Sequence, residues 1–189
     1  MRLTRVLFLV GVILSASFAI GCDDPLALPA ASLPNVVDTV TIYALRGTDI
    51  AKPSGFRVAT GVVIRTDQPG FDLAFDIDDA GVPLMYPAGA LGLARDPGVL
   101  KVTDTFEGVT SAPLTKTFLD HVPLAIPPGT VFVGRSAPFG GDCGVSGSLP
   151  RYGKFHVLAV DTVTRTVVLE VLVNLNCGYR DLRPGVPSA

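Results

Sequence analysis

Apolar and polar residues alternate with a period of two along much of this chain, the signature of strands that bury one face. The cleanest run is 71–78, where Phe71, Leu73, Phe75 and Ile77 alternate with Asp72, Ala74, Asp76 and Asp78. Asp79-Ala80-Gly81 then signals a turn, and the aspartates are expected to wet the outer face of a sheet. Residues 39–45 open the series with Thr39, Val40, Thr41 and Ile42, all β-branched and suited to a pleated surface. Over 56–66, Phe56, Val58, Val62 and Ile64 fall on one side, with Arg57 and Arg65 on the other. Pro83 lacks a ladder donor, which limits 82–86 to an edge strand. Stretches 100–106 and 131–136 add two more strands. The pair 154–160 and 166–175, joined by Asp161-Thr162-Val163-Thr164-Arg165, predicts a hairpin. In its second strand Val167, Leu169, Val171, Val173 and Leu175 share a face, and Cys177 follows in phase, so its sulfur is expected in the core. The first strand is apolar on both faces apart from Lys154 and His156, as a central strand would be. No long helical period competes; a turn or two of helix fits within 88–95, between Pro87 and Pro97.

Many short strands with dense turn signals predict an all-β fold, an antiparallel β-sandwich or barrel of roughly 7–9 short strands with one disulfide.

The N-terminus breaks this pattern. Arg2 and Arg5 precede an apolar run over 6–20 that no acidic residue interrupts, followed by small residues, the three parts of an export signal. Fifteen residues of helix reach roughly 22 Å, short of the ~30 Å hydrocarbon core, so the run is too short for a permanent span. The end of the run, Ala19-Ile20-Gly21-Cys22, resembles the lipobox of bacterial lipoproteins, with Ala19 where leucine is commoner. The resemblance covers the first 22 residues. It implies cleavage before Cys22, a thioether-linked diacylglycerol and an amide-linked acyl chain on that cysteine, and the membrane as a partner. Two or more chains anchor stably where one alone would be marginal. The alternative is an ordinary secretory signal cut after Ser17-Phe18-Ala19. Three cysteines favour lipidation, because modifying Cys22 leaves an even pair, Cys143 and Cys177. In an oxidising compartment that pair is expected as a disulfide, stabilising by about 3–4 kcal/mol through the ~35-residue loop it closes.

The chain thus divides into a signal over 1–21, a lipidated cysteine with a flexible tether over 22–35, and one β-rich domain over 36–189. Three prolines and no amphipathic period mark the tether, which fully extended would hold the domain up to roughly 40 Å from the lipid. Its Leu26, Leu28 and Leu33 could instead pack on the domain. The expected location is the cell envelope, on the periplasmic or extracellular face. The signal carries two of the 15 Lys+Arg and none of the 17 Asp+Glu, so the mature chain is mildly acidic. Nucleic acid, which calls for a basic face, is not an expected partner.

Candidate chemistry is sparse. Asp76, Asp78 and Asp79 sit on a turn as calcium ligands could, yet the spacing is not that of an EF-hand and no Glu follows until Glu107. His121 and His156 lie far apart, outside any zinc motif. Gly144-Val145-Ser146-Gly147-Ser148 lacks the last glycine of a nucleophile elbow. Only two glutamates occur, Glu107 and Glu170; a glycosidase pair could meet only in the fold. No catalytic residue and no cofactor is therefore assigned. The polar residues after the last strand, Asn174, Asn176, Tyr179, Arg180 and Arg183, held beside Arg135 and Asp142 by the disulfide, form the expected binding rim. The reading that results is a non-enzymatic, membrane-anchored interaction or binding module, with an unknown protein or small-molecule partner in the envelope. A lipocalin-like carrier of small ligands and a cell-envelope hydrolase are the alternatives.

Overall fold

The computed structural model describes residues 28–93, 96–114, 118–138 and 149–187. The alternating segments become β1 (Val37–Tyr43), β2 (Gly55–Arg57), β3 (Val62–Ile64), β4 (Leu73–Ile77), β5 (Pro83–Pro87), β6 (Gly98–Val102), β7 (Leu124–Ala125), β8 (Val131–Arg135), β9 (Tyr152–Asp161) and β10 (Thr166–Asn174). A single 3-10 turn, Ala88–Leu91, stands where a turn or two of helix is expected. The strands form two five-stranded sheets, ordered β1-β10-β9-β8-β6 and β3-β2-β4-β5-β7, with every neighbouring pair antiparallel.

Side chains from both sheets meet in one cluster: Phe56, Leu73, Phe75, Ile77 and Met85 from the second sheet, and Ile42, Phe132, Phe155, Val157, Val167 and Leu169 from the first. Phe155 is its hub, edge-on to Phe56 at 5.2 Å and stacked on Phe132 at 4.9 Å between ring centres. Gly134 makes room for this ring; a Cβ there would meet Phe155 Cε2 at 2.8 Å. The outer face of the first sheet is also covered. Phe106, Val109, Ala112, Phe118 and Leu182, from the loops after β6 and β10, pack on Val131, Val133 and Leu172. Strands with two buried faces lose the clean alternation of a half-buried strand, which is why β9 reads as apolar on both sides and occupies the centre of its sheet.

The all-β expectation therefore holds, with ten strands among the described residues rather than seven to nine and no closed barrel. The sheets face each other across one shared apolar cluster rather than closing into a barrel.

Three expectations from patterning are corrected. Segment 56–66 is a hairpin, not one strand: the amides of Thr60 and Gly61 both donate back to the Arg57 carbonyl, at 3.2 and 2.8 Å, and Gly61 takes the φ of +69° that the reversal demands. The turn resets the phase, so Val63 rather than Val62 packs on the core. β5 is not an edge strand, since β4 and β7 flank it. Pro83 is tolerated because it opens the strand and contributes only its carbonyl, which accepts from the Ile126 amide at 2.9 Å. Finally, all of β4 is buried, Asp76 included, and so is Asp72 just before it, so those two carboxylates do not wet an outer face.

Candidate functional site

The expected rim residues that are described are spent on holding the chain together. Residues 29–35, the second half of the expected tether, lie as a strap across the segment that follows β10. The Asn176 side chain is saturated: Oδ1 accepts from the amides of Ser32 and Leu33, both at 3.0 Å, while Nδ2 donates to Leu33 O at 2.8 Å and Asn174 Oδ1 at 2.9 Å. The Tyr179 hydroxyl donates to Pro29 O at 3.0 Å and accepts from the Ala31 amide at 3.1 Å. At the other end Asn35 exchanges backbone bonds with Gly185, and its Nδ2 donates to Asp181 O and Arg183 O. Asn174 Nδ2 shares the Asp181 carbonyl at 2.8 Å. A buried amide with every valence filled, as at Asn176, fixes register and rigidity and leaves little to offer a ligand; Asn35 Oδ1 is buried without a hydrogen-bond partner among the described residues.

The rim's arginines are similarly engaged. Arg180 stacks over Tyr152 at 5.4 Å and donates to Ala112 O, Arg183 pairs with Asp181 at 2.6 Å, and Arg135 covers Phe118 at 4.9 Å while donating to Asp96 O. Asp142 and Cys143 lie outside the described residues, as do residues 1–27 with Cys22. Cys177 sits beyond β10, buried, with its sulfur 3.6 Å from Arg151 Nη2. It is the only cysteine among the described residues, so they contain no cysteine pair.

The acidic turn is a node of ion pairs. Asp76, 3% exposed, receives Arg46 Nε at 2.6 Å and Arg165 Nη2 at 3.3 Å, along with the amides of Arg46 and Ile77. This carboxylate raises the pKa of Arg46, through hydrogen bonding first and Coulomb attraction second. Asp78 makes the turn itself, its Oδ1 accepting from the amides of Ala80 and Val82. With two guanidiniums on Asp76, a calcium ion shared by Asp76, Asp78 and Asp79 would meet cations already in place. No group of three or more potential metal ligands is found among the described residues.

A different cluster forms on the outer face of the first sheet. A groove of about 430 Å³ is lined by Thr103, Asp104, Thr105, Phe106, Glu107, Gly129, Val131, His156, Leu158 and Glu170. Both glutamates of the chain and one of its two histidines meet here, with Asp104. His156 Nδ1 lies 3.3 Å from Glu170 Oε2. A β-bulge creates that contact: Val168 pairs with Ala159 but Leu169 pairs with Val157, so Leu158 is the extra residue. Without it, the register of the hairpin tip would set Glu170 opposite Val157, on the wrong side of the pleat. The bulge is what hides this pair from simple counting along the sequence.

The wall of the groove is held from beneath. Lys154, 2% exposed and one residue pair from His156 on β9, donates through Nζ to Phe106 O at 2.8 Å and Val109 O at 3.1 Å, with its ammonium 4.5 Å from the Phe106 ring centre. Burial lowers its pKa, and Glu107, Glu170 and Asp181 partly oppose that shift. His121, by contrast, is exposed beside Asp120 at 4.0 Å.

A scan against protein-family models finds no match, and neither the curated proteins nor the solved structures yield one.

Proposed function

We propose that this chain is an exported lipoprotein, anchored through Cys22 at the cell envelope, whose β-sandwich is a non-enzymatic binding module that receives a basic group in the His156 groove. One observation carries the recognition half of this reading. Asp104, Glu107 and Glu170 face a groove whose lining has no lysine or arginine, and its threonines and phenylalanine supply hydroxyls and one apolar wall. Such a concave, acidic surface attracts a lysine or arginine side chain or a small polyamine. The only side-chain hydroxyls in the lining belong to Thr103 and Thr105, and neither is hydrogen-bonded to His156, so the His156–Glu170 pair has no nucleophile positioned for activation. Support for the anchor is the export signal and lipobox; support for the predicted Cys143–Cys177 disulfide is the even count left once Cys22 is lipidated.

Calorimetric titration of the mature chain carrying Cys22→Ser with a lysine-rich peptide tests the reading. Binding that weakens at least tenfold in Glu107→Gln/Glu170→Gln and with added salt is expected, with none to an acidic control peptide. Equal binding by wild type and variant would remove the groove from consideration.

The His156–Glu170 contact favours one second reading, a hydrolase in which His156 activates water and Glu170 orients it. Turnover of an ester or peptide library that is lost in His156→Gln would support that reading over binding alone.

A further inference from the structure

We infer that the strap end of the sandwich is a membrane-docking surface that seats the domain on the bilayer carrying the lipid, an inference that rests on the lipid anchor proposed at Cys22. The strap does more than shorten the tether. Large apolar side chains stand exposed on it and at its two ends: Leu33 within it, Leu28 just before it, and Val36 and Val37 just after it, with Val36 65% exposed. Val186, 59% exposed, follows Gly185, which bridges Asn35, so it joins the same collar. Two grooves of about 290 and 300 Å³, one lined by Pro34, Val36 and Val37 and the other by Pro29, Ser32 and Leu33, share Leu175 in their walls. Elsewhere Ile50, Leu114 and Val163 stand singly and Leu91 and Leu93 form one short pair, and scattered residues of this kind are ordinary. Five on the strap, at its ends and beside its bridge partner Gly185 make up a patch that marks an interaction surface.

The chain itself names the occupant. Five residues separate Cys22 from Leu28, and six steps of fully extended backbone span at most about 20 Å. A domain of this size has a radius of gyration of roughly 15 Å. With Cys22 held at the bilayer, Leu28 stays within about one domain radius of the surface, and the collar around it is the part brought nearest the lipid. The charge of the collar suits a zwitterionic surface: Arg183 is paired with Asp181, which leaves Asp38 as the one exposed carboxylate outside that pair among the collar's described residues. β9 starts at Tyr152 beside the strap and runs ten residues to Asp161, about 30 Å, so the hairpin tip around Val163 points into solvent.

The test uses the full-length lipidated chain in phosphatidylcholine vesicles containing a diazirine-bearing lipid, irradiated after flotation and mapped by mass spectrometry. Labelling of residues 28–37 and 186 at least tenfold above residues 161–165 is expected. Val36→Asp/Val186→Asp, at two exposed positions where the fold tolerates charge, should bring that ratio near one while the protein still floats. A wild-type chain that floats but is labelled equally at both ends overturns the docking surface and leaves the anchor standing. A chain that carries no lipid and fails to float overturns both.

Discussion

Replacing Asn176 by alanine should release the strap locally while leaving its two ends attached. The substitution removes three hydrogen bonds to the strap, from the amides of Ser32 and Leu33 and to the carbonyl of Leu33. At about 1 kcal/mol net for each bond, the strap loses roughly 3 kcal/mol. Tyr179 still holds Pro29 and Ala31, and Asn35 still holds Gly185, so the opening should be confined to the middle of the strap. Free energy of this size corresponds to about a hundredfold in the opening equilibrium. Native-state hydrogen exchange reads it directly: the amides of Ser32 and Leu33 should exchange about a hundredfold faster in Asn176→Ala, with β9 and β10 amides changed far less. Unchanged exchange at Ser32 and Leu33 in a folded variant would refute the clasp. Tyr179→Phe supplies the matching control, since it should affect Pro29 and Ala31 and spare the Asn176 contacts.

Lys154→Met should destabilise the domain by about 2 kcal/mol at neutral pH. It leaves the carbonyls of Phe106 and Val109 without their donor, a cost that relief of the buried ammonium offsets in part. Because burial sets the folded pKa of Lys154 below its ordinary value of 10.5, the unfolded chain binds more protons in that interval, and wild-type stability contributed by this group rises with pH up to about 10.5. The deficit of the variant should therefore widen from neutral pH toward 10.5 in urea titrations; a constant or shrinking deficit would contradict the assignment. Asp76→Ala should cost about 3 kcal/mol, the low end for breaking a buried pair because Arg46 reaches solvent; a change below about 0.5 kcal/mol would count against the node. For the disulfide, intact mass after removal of lipid should rise by two hydrogens on reduction, and thiol titration of the unreduced, unfolded protein at both Cys143 and Cys177 would disprove it.

What the sequence reveals depends on whether the cause is local. The hairpin of β9 and β10 and the central place of β9 follow from periodicity, because strand burial writes itself directly into alternation. The division of 56–66 does not, since Thr60 and Gly61 interrupt a pattern that otherwise stays in phase. Burial of Asp76 is equally hidden: the arginines that neutralise it come from Arg46 and Arg165, about 30 and 90 residues away. The rim residues were legible as a group but not in role, because only the fold shows that they face a strap from the opposite end of the chain. The His156 groove needs both the covering loop 103–109 and the bulge at Leu158, and a single inserted residue in a ladder leaves no periodic mark.

The intact mass of the protein extracted from membranes of its native producer tests the anchor at Cys22 most directly. The predicted species begins at Cys22 and carries the added mass of a diacylglycerol and one acyl chain, with both lost in Cys22→Ala. A mature protein that begins elsewhere and carries no lipid would contradict it.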